Sequence, residues 1–282
     1  MEKSEELKEM VRGRYTQIAG QDKLQNSSSF CGEGGCGSPV TEYTVFSDNY
    51  EQIAGYVPEA DLGLGCGLPT EHALIREGDT VVYLGSGAGN DCFVDRSLTG
   101  ETGRVIGIDF TEAMIDKARA NAVKLGYSNV QFRYGDIEKM PLTSSIADVV
   151  ISNCVLNLIP DKRKAFSEIF RILKPGGHFS ISDVVLQGKL PDKIAEAAVM
   201  YAGCVSGALQ KADYLDIIQQ SGFSGIIIQK QKTVSVPEEI LLQFINTAEL
   251  EQMKKENTGI FSLTVYAEKP KEACGCGCGC NS

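Results

Sequence analysis

The first twenty residues carry apolar side chains at Leu7, Met10, Val11, Tyr15 and Ile18, at the three- and four-residue spacing of one helix face. Between residues 79 and 185 the pattern changes. Short apolar runs of strand length, at 80–84, 104–108, 130–134, 148–152 and 177–184, alternate with stretches of helical period at 89–97, 111–125 and 161–173. Strand–helix alternation implies parallel strands joined by crossover helices, and so predicts an α/β fold with a doubly wound, mostly parallel sheet. Thr111 is a good N-cap type for the second of these helices, and Gly126 stands just past its end. Beyond residue 186 a helical region covers 191–201 and continues through Gly203 and Cys204 to 213–220. Two longer strands, 225–236 and 260–268, flank a helical insertion at 237–256 and are placed to pair antiparallel at the sheet edge, which brings the expected sheet to seven strands. Glycine-rich loops occupy 22–42, with Cys31 and Cys36, and 61–70, with Cys66, while residues 274–280 alternate Cys with Gly. No internal repeat is visible.

Composition narrows the partners. A chain of 282 residues buries roughly 70–75% of its unfolded surface, so disulfides are not needed to hold it. The formal charge is −10, and no Lys/Arg stripe is present to replace phosphate counterions, which argues against nucleic acid and anionic membrane. The start, Met1-Glu2-Lys3-Ser4-Glu5-Glu6, is charged, and no run of apolar residues could span a bilayer. A cytoplasmic protein is expected, where thiols stay reduced, and its 10 cysteines then read as ligands, redox groups or catalysts. With only His72 and His178 present, zinc sites and acid–base schemes built on His clusters are disfavoured.

The run 80–84 leads into Leu84-Gly85-Ser86-Gly87-Ala88-Gly89-Asn90-Asp91 and then a helical stretch. Glycines let a backbone pass close to a ligand, and a helix N-terminus favours an anionic group. Asp109 ends the second strand, twenty residues past Gly89, where a carboxylate accepts hydrogen bonds from ribose hydroxyls. A Gly-x-Gly loop is shared by NAD, FAD and S-adenosylmethionine proteins. Three details favour the last: Asn90 rather than Gly or Ala at the sixth fingerprint position, Gly135-Asp136-Ile137 after the third strand, and Leu173-Lys174-Pro175-Gly176-Gly177 leading into the fifth.

Three solitary cysteines stand around this loop. Cys66 lies in Gly63-Leu64-Gly65-Cys66-Gly67, Cys154 directly follows the fourth strand in Ser152-Asn153-Cys154, and Cys204 lies in Tyr201-Ala202-Gly203-Cys204. Ligands of a doubly wound sheet bind outside the carboxyl ends of the strands, which puts Cys154 at the active edge by topology. A lone Cys is most often a small buried hydrophobe, but the Gly-rich settings of Cys66 and Cys204 suit close approach better than core packing. Cys92, just inside the first core helix, reads as a packing residue, and Asp183 at the end of the fifth strand reads equally as a cap or a site residue.

On these segments the chain resembles the bacterial arsenite S-adenosylmethionine methyltransferases, over about residues 28–230. The resemblance implies a Rossmann-like class I methyltransferase sheet with an N-terminal helical and loop arm and a smaller C-terminal α+β part. The parts would be residues 1–70 closing over the site, 71–185 binding S-adenosylmethionine, 186–270 completing the arsenic site and sheet edge, and a flexible Cys-Gly tail over 271–282. It implies that Cys66, Cys154 and Cys204 bind trivalent arsenic, with Cys31, or alternatively Cys36, as an auxiliary thiol. Cofactor contacts would come from Gly85, Gly87, Gly89, Asp109, Phe110, Ile137, Glu138 and Asn153. The substrate would be arsenite or its thiol conjugates, the reductant a thiol such as thioredoxin or glutathione, the role arsenic detoxification, and the enzyme a monomer. Trivalent arsenic is soft and prefers thiolates; three sulfurs leave its lone pair as the nucleophile, so no strong general base is required. One position departs from the pattern: such enzymes usually carry an acidic residue two before the first loop glycine, and here it is Tyr83. Two other readings share the same residues, a methyltransferase for a carbon, oxygen or nitrogen nucleophile, and a thiol-rich metalloid-binding or sensing protein with a vestigial cofactor loop.

Overall fold

The computed structural model describes residues 2–21, 53–64, 66–191, 207–234, 238–242 and 245–271. Among them seven strands form one sheet: β1 Thr80–Leu84, β2 Arg104–Asp109, β3 Val130–Tyr134, β4 Ala147–Asn153, β5 Leu173–Gln187, β6 Ser224–Thr233 and β7 Gly259–Glu268. Their order is β3-β2-β1-β4-β5-β7-β6. The first five run parallel, while β7 pairs antiparallel with both β5 and β6. The helices are α1 Glu2–Ala19, α2 Asn90–Thr99, α3 Glu112–Leu125, α4 Lys162–Ile172, α5 Lys211–Gln220, the single turn α6 Glu238–Leu241, and α7 Thr247–Lys255.

Strand alternation divides the core into two layers. Val81, Tyr83, Val105, Val149 and Ile151 face one side, where Ile18 of α1, Phe93 of α2 and Met114, Ile115 and Ala118 of α3 cover them. Val82, Leu84, Ile106, Ile108 and Val150 face the other, under Phe166 and Ile169 of α4 and Tyr214 and Ile218 of α5. Because both faces are covered, the central strands are apolar at nearly every position, which is why their sequences read as continuous runs rather than as alternation. Gly126 closes α3 at φ +68°, its N–H on the carbonyls of Ala122 and Val123. Thr111 holds the N-cap position of α3, but its side chain makes no capping bond; the Asp109 Oδ1 accepts the Thr111 N–H at 2.9 Å instead.

Two elements differ from the pattern reading. β5 begins at Leu173, not at 177, so the Lys174-Pro175-Gly176-Gly177 turn is a bulged extension of the strand. Lys269, at the end of β7, supplies its ladder: Gly176 N–H reaches Lys269 O at 2.9 Å and Lys269 N–H reaches Gly177 O at 2.8 Å. A local reading cannot see a partner that lies ninety residues later. The insertion after β6 is broken at Asn246, where a capping box with Glu249, 2.9 Å in each direction, starts α7 afresh. The helical stretch expected at 191–201 lies outside the described residues.

Phe166 anchors the α4 layer, with ring centroids of Phe179, Tyr214 and Phe223 at 5.8, 5.7 and 6.5 Å. Phe166→Ala should therefore destabilise the fold by about 3–5 kcal/mol, read as a lower urea midpoint at unchanged m-value. Val123→Thr on the exposed face of α3 should stay within about 0.5 kcal/mol of the parent.

Candidate functional site

A cavity opens at the carboxyl ends of the parallel strands, around the switch point where the chain order turns from β1 to β4. It offers about 1080 Å³ of space, part of it continuous with solvent. Gly85, Ser86 and Gly87 line it after β1, Asp109 and Phe110 after β2, Asp136 and Ile137 after β3, and Asn153, Cys154 and Val155 after β4. Asp61, Leu62 and Leu64 from the preceding loop, with Lys8 and Tyr15 of α1, form the remaining wall. Lys8 Nζ pins α1 there, 2.7 Å from Asp136 and 2.8 Å from Glu138, and the Arg12 guanidinium lies 5.7 Å from the centre of the Phe110 ring.

The glycine loop turns its donors inward. Gly85 N–H and Ser86 N–H both go to Ile108 O, at 2.8 and 3.0 Å, and Gly89 N–H goes to Ser86 O at 2.9 Å. Gly87 N–H goes to Asp109 Oδ2 at 3.0 Å. A loop that cradles pyrophosphate must leave such N–H groups facing the ligand; this one does not. What faces the cavity is acidic: Asp61, Asp91, Asp109 and Asp136, with Lys8 the one cation on the wall among the described residues and already paired. At Gly87, φ +51°, an added Cβ would meet nothing within 4 Å, so the loop crest is open to a ligand. A carboxylate-rich wall suits a ligand carrying positive charge and hydroxyls. S-adenosylmethionine, with its sulfonium, α-ammonium and ribose diol, fits that chemistry; a dinucleotide does not.

Of the residues expected to hold the cofactor, Gly85, Gly87, Asp109, Phe110, Ile137 and Asn153 lie on the cavity wall. Gly89 and Glu138 are not among the lining residues. Gly89 is the N-cap of α2, packed toward Phe93 and Phe132. Glu138 is occupied elsewhere, with Oε2 on Lys8 and Oε1 accepting the Asp161 N–H at 2.9 Å. Burial pushes the Asp109 carboxyl up, while the amides of Thr111 and Gly87 pull it down.

Asn153 has a second task that its sequence position did not reveal. Its Oδ1 accepts the Cys66 N–H at 3.0 Å, and its Nδ2 donates to Gly67 O at 2.7 Å. Ser262 of β7 donates to Cys66 O at 2.7 Å. Cys66 is thus tied by its backbone to the end of β4 and to β7, and its side chain shares one buried cluster with Cys154, Val184, Leu190, Ile245 and Ile260. Cys154 sits at φ +59°, a left-handed conformation that costs a non-glycine residue of order 1–3 kcal/mol. It is held by its own N–H on Ser182 O at 2.7 Å. The following turn is tied to the same strand by Asn157, whose carboxamide, oriented as its neighbours require, meets both main-chain groups of Val184 at 3.0 and 2.9 Å. Cys31, Cys36, Cys204 and the cysteines of 274–280 lie outside the described residues, and among the described residues no three His, Cys, Asp or Glu side chains converge as a metal site. Cys92 is fully buried in the core on α2. His178 is structural, its Nε2 2.6 Å from Ala73 O.

Beneath the two thiols lies a buried polar group that the pattern reading left undecided. Asp183 of β5 is fully buried and accepts a hydrogen bond from the Tyr214 hydroxyl at 3.0 Å. Burial pushes its carboxyl up to about 7, against the Lys162 ammonium, the Tyr214 hydroxyl and the amides of Asn157 and Leu156, which pull it down. Burial and then the Asp183 charge push the Tyr214 phenol well up, and Cys66 and Cys154 both lie within electrostatic reach of it. Hydrophobic periodicity marks β5 as a strand but cannot tell which of its polar residues faces inward.

Comparison with known proteins agrees with this geometry. Residues 75–222 match the family model described as a methyltransferase domain. The arsenite methyltransferase of Halobacterium salinarum is 39% identical over 272 residues, covering 94% of this chain and 67% of that protein. The mouse arsenite methyltransferase is 40% identical over 168 residues, 56% of this chain and 44% of that one. In the crystal structure of an arsenic(III) S-adenosylmethionine methyltransferase from Chlamydomonas reinhardtii, 67% of that chain superposes on 73% of this one, with TM-score 0.57 and 32% identity. The chain thus spans two thirds of the archaeal and algal proteins and about half of the other curated relatives it matches.

The Asp183 carboxyl binds its proton more tightly in the native state than in the unfolded chain, where it titrates near about 4. Its contribution to stability is present below that pH and is lost as pH rises through about 7. Unfolding free energy from urea titrations at pH 5, 6, 7 and 8 should fall across the series, and Asp183→Asn should flatten part of that slope.

Proposed function

The chain belongs to the arsenite methyltransferase family, and on that premise we propose that it transfers a methyl group from S-adenosylmethionine to trivalent arsenic bound by the thiolates of Cys66, Cys154 and Cys204. The observation that carries this reading is the pairing of Cys66 and Cys154 in one buried cluster at the cofactor cavity, with Cys154 on the cavity wall itself. Cys204 joins them in the proposal through its sequence neighbours. Three residues on, Gly207 lies so close to the Asn157 carbonyl that an added Cβ would stand 1.8 Å from its oxygen, and Ala208 packs on the cluster that holds both thiols.

In this mechanism each thiol exchanges for one arsenic hydroxyl, its proton leaving with that hydroxyl as water. The sulfur set then holds arsenic with its lone pair uncovered, and soft thiolates suit that element where His or carboxylate would not. S-adenosylmethionine in the cavity would supply an already activated methyl on a sulfonium, the As–C bond forming as the C–S bond breaks and the bonding pair staying on sulfur. No general base is needed, because the nucleophile is a lone pair rather than a bound proton's partner. The work of the chain is alignment: Asn153 and Ser262 fix the Cys66 backbone, Ser182 fixes that of Cys154, and the cavity places the donor beside them. Near-attack placement of this kind is worth several orders of magnitude in rate, and a shift of about 1 Å loses about 100-fold.

The finer assignments belong to the same reading. Asp109 receives the ribose, and Ile137 packs on the adenine. Methyl transfer raises the formal oxidation state of arsenic by two, and a thiol reductant such as thioredoxin or glutathione supplies the two electrons that restore the trivalent state. Cys31, or Cys36 in its place, is the auxiliary thiol. The protein acts as a cytoplasmic monomer in arsenic detoxification; no helix among the described residues is long and apolar enough to cross a membrane.

Cys154→Ser should lower methylarsenic formation from arsenite by at least about 100-fold while calorimetric binding of S-adenosylmethionine stays close to the parent. Near parental turnover in that variant would sink the mechanism. Asn153→Ala, which removes both hydrogen bonds to the Cys66 loop, should weaken arsenite binding by about 30-fold in equilibrium dialysis, at about 1 kcal/mol per bond lost.

A further inference from the structure

The last residue but one of β1, Tyr83, is 2% exposed and packs among Val81, Phe93 and Ile151. Its hydroxyl emerges on the cavity side and donates to Asp91 Oδ2 in the first turn of α2. The Asn90 carboxamide donates to Asp91 Oδ1 at 3.1 Å. Asp91 is thereby held by two donors, one on each oxygen, on the wall of the cavity. A carboxylate oxygen has more than one acceptor position, so neither of these two bonds by itself closes Asp91 to a ligand proton. The first turn of a helix favours negative charge, which keeps a carboxylate at ease there.

The strand order then gives the cavity a direction. Asp109, Phe110, Asp136 and Ile137 follow β2 and β3 on one side, and Cys154 follows β4 on the other, with the end of β1 between them. A cofactor whose nucleoside lies over β2 and β3 and whose methyl faces Cys154 must lay its amino-acid arm across the end of β1. The wall carboxylates stand at different places along that path, and Asp61 lies on the loop before β1, where it accepts from the Tyr56 hydroxyl at 3.0 Å and the Gly63 N–H at 2.9 Å. Asp136 is already paired with Lys8 at 2.7 Å. Asp109 holds the amides of Gly87 and Thr111. Asp91 stands at the β1 end, beside the open crest of Gly87.

We propose that Asp91, oriented by the Tyr83 hydroxyl, is the carboxylate that receives the α-ammonium of S-adenosylmethionine. This inference rests on the cofactor reading above. In it, the acid absent from position 83 is supplied from one helical turn onward, and Tyr83 spans the gap as a positioning residue. A wall acid that is fixed before the ligand arrives loses little side-chain freedom on binding.

The test uses the full chain, S-adenosylhomocysteine, and a deaminated analogue of it that differs only in lacking the α-amino group, both titrated by calorimetry. The parent should prefer the amino compound by about tenfold or more, the range for a hydrogen bond to a charged group. Asp91→Asn should reduce that preference to within about twofold, and Tyr83→Phe, which keeps the ring and its packing, should fall between. Because the readout is a ratio of two affinities in one protein, general loosening of the fold lowers both and leaves it unmoved. A parental chain without the preference, or an Asp91→Asn or Tyr83→Phe chain that keeps it in full, overturns the assignment. A parental chain that binds neither compound overturns the cofactor reading itself.

Discussion

One buried carboxamide joins the two halves of the site. Asn153 ends β4 on the cofactor sheet, and its side chain holds the Cys66 N–H and the Gly67 carbonyl. That clamp sets the loop carrying Cys66 against the strand end carrying Cys154. The clamp is costly to disturb because both partners are buried, and a buried main-chain group left without a partner loses more than the bond itself was worth. Its neighbours repeat the device: Ser262 holds the Cys66 carbonyl, Ser182 holds the Cys154 N–H, and Asn157 pairs with Val184. The strained backbone of Cys154 persists because these bonds determine its surroundings.

Electrostatics explain why this sheet takes a sulfonium rather than a dinucleotide. Both kinds of protein share the strand–glycine loop–helix unit. Here the loop amides are consumed by Ile108, Ser86 and Asp109, and the cavity wall is left with carboxylates. A pyrophosphate would meet negative charge without compensating donors, whereas a cationic ligand meets the opposite. The same acidic wall accounts for the short bridge from Lys8 to Asp136, which fastens α1 as one side of the cavity.

The legible parts of the sequence were those whose physics is local. β1 and β3 stand where their apolar runs put them, and the antiparallel pairing of β6 and β7 follows from two long strands with a helical insertion between. The start of β5 was misread as a turn because its partner, Lys269, is remote in sequence. Thr111 looked like a cap, yet its side chain does not cap α3. At the site, the glycine loop and the position of Cys154 were legible, since topology alone sends ligands to the carboxyl ends of parallel strands. Asn153 was legible as a site residue but not as a clamp, and Asp183 could not be told from an exposed cap, because one strand residue looks like another until both faces are packed.

Sequence alone therefore determined the class of fold, the place of the cofactor loop and the candidate thiols, because period, glycine spacing and residue type are properties of short segments. Tertiary structure decided which loop amides turn inward, which carboxylates face the cavity, and that Cys66 and Cys154, 88 residues apart, share one buried cluster. Those outcomes depend on hydrogen-bond partners drawn from distant strands. A chain encodes such partners only through the packing that brings them together.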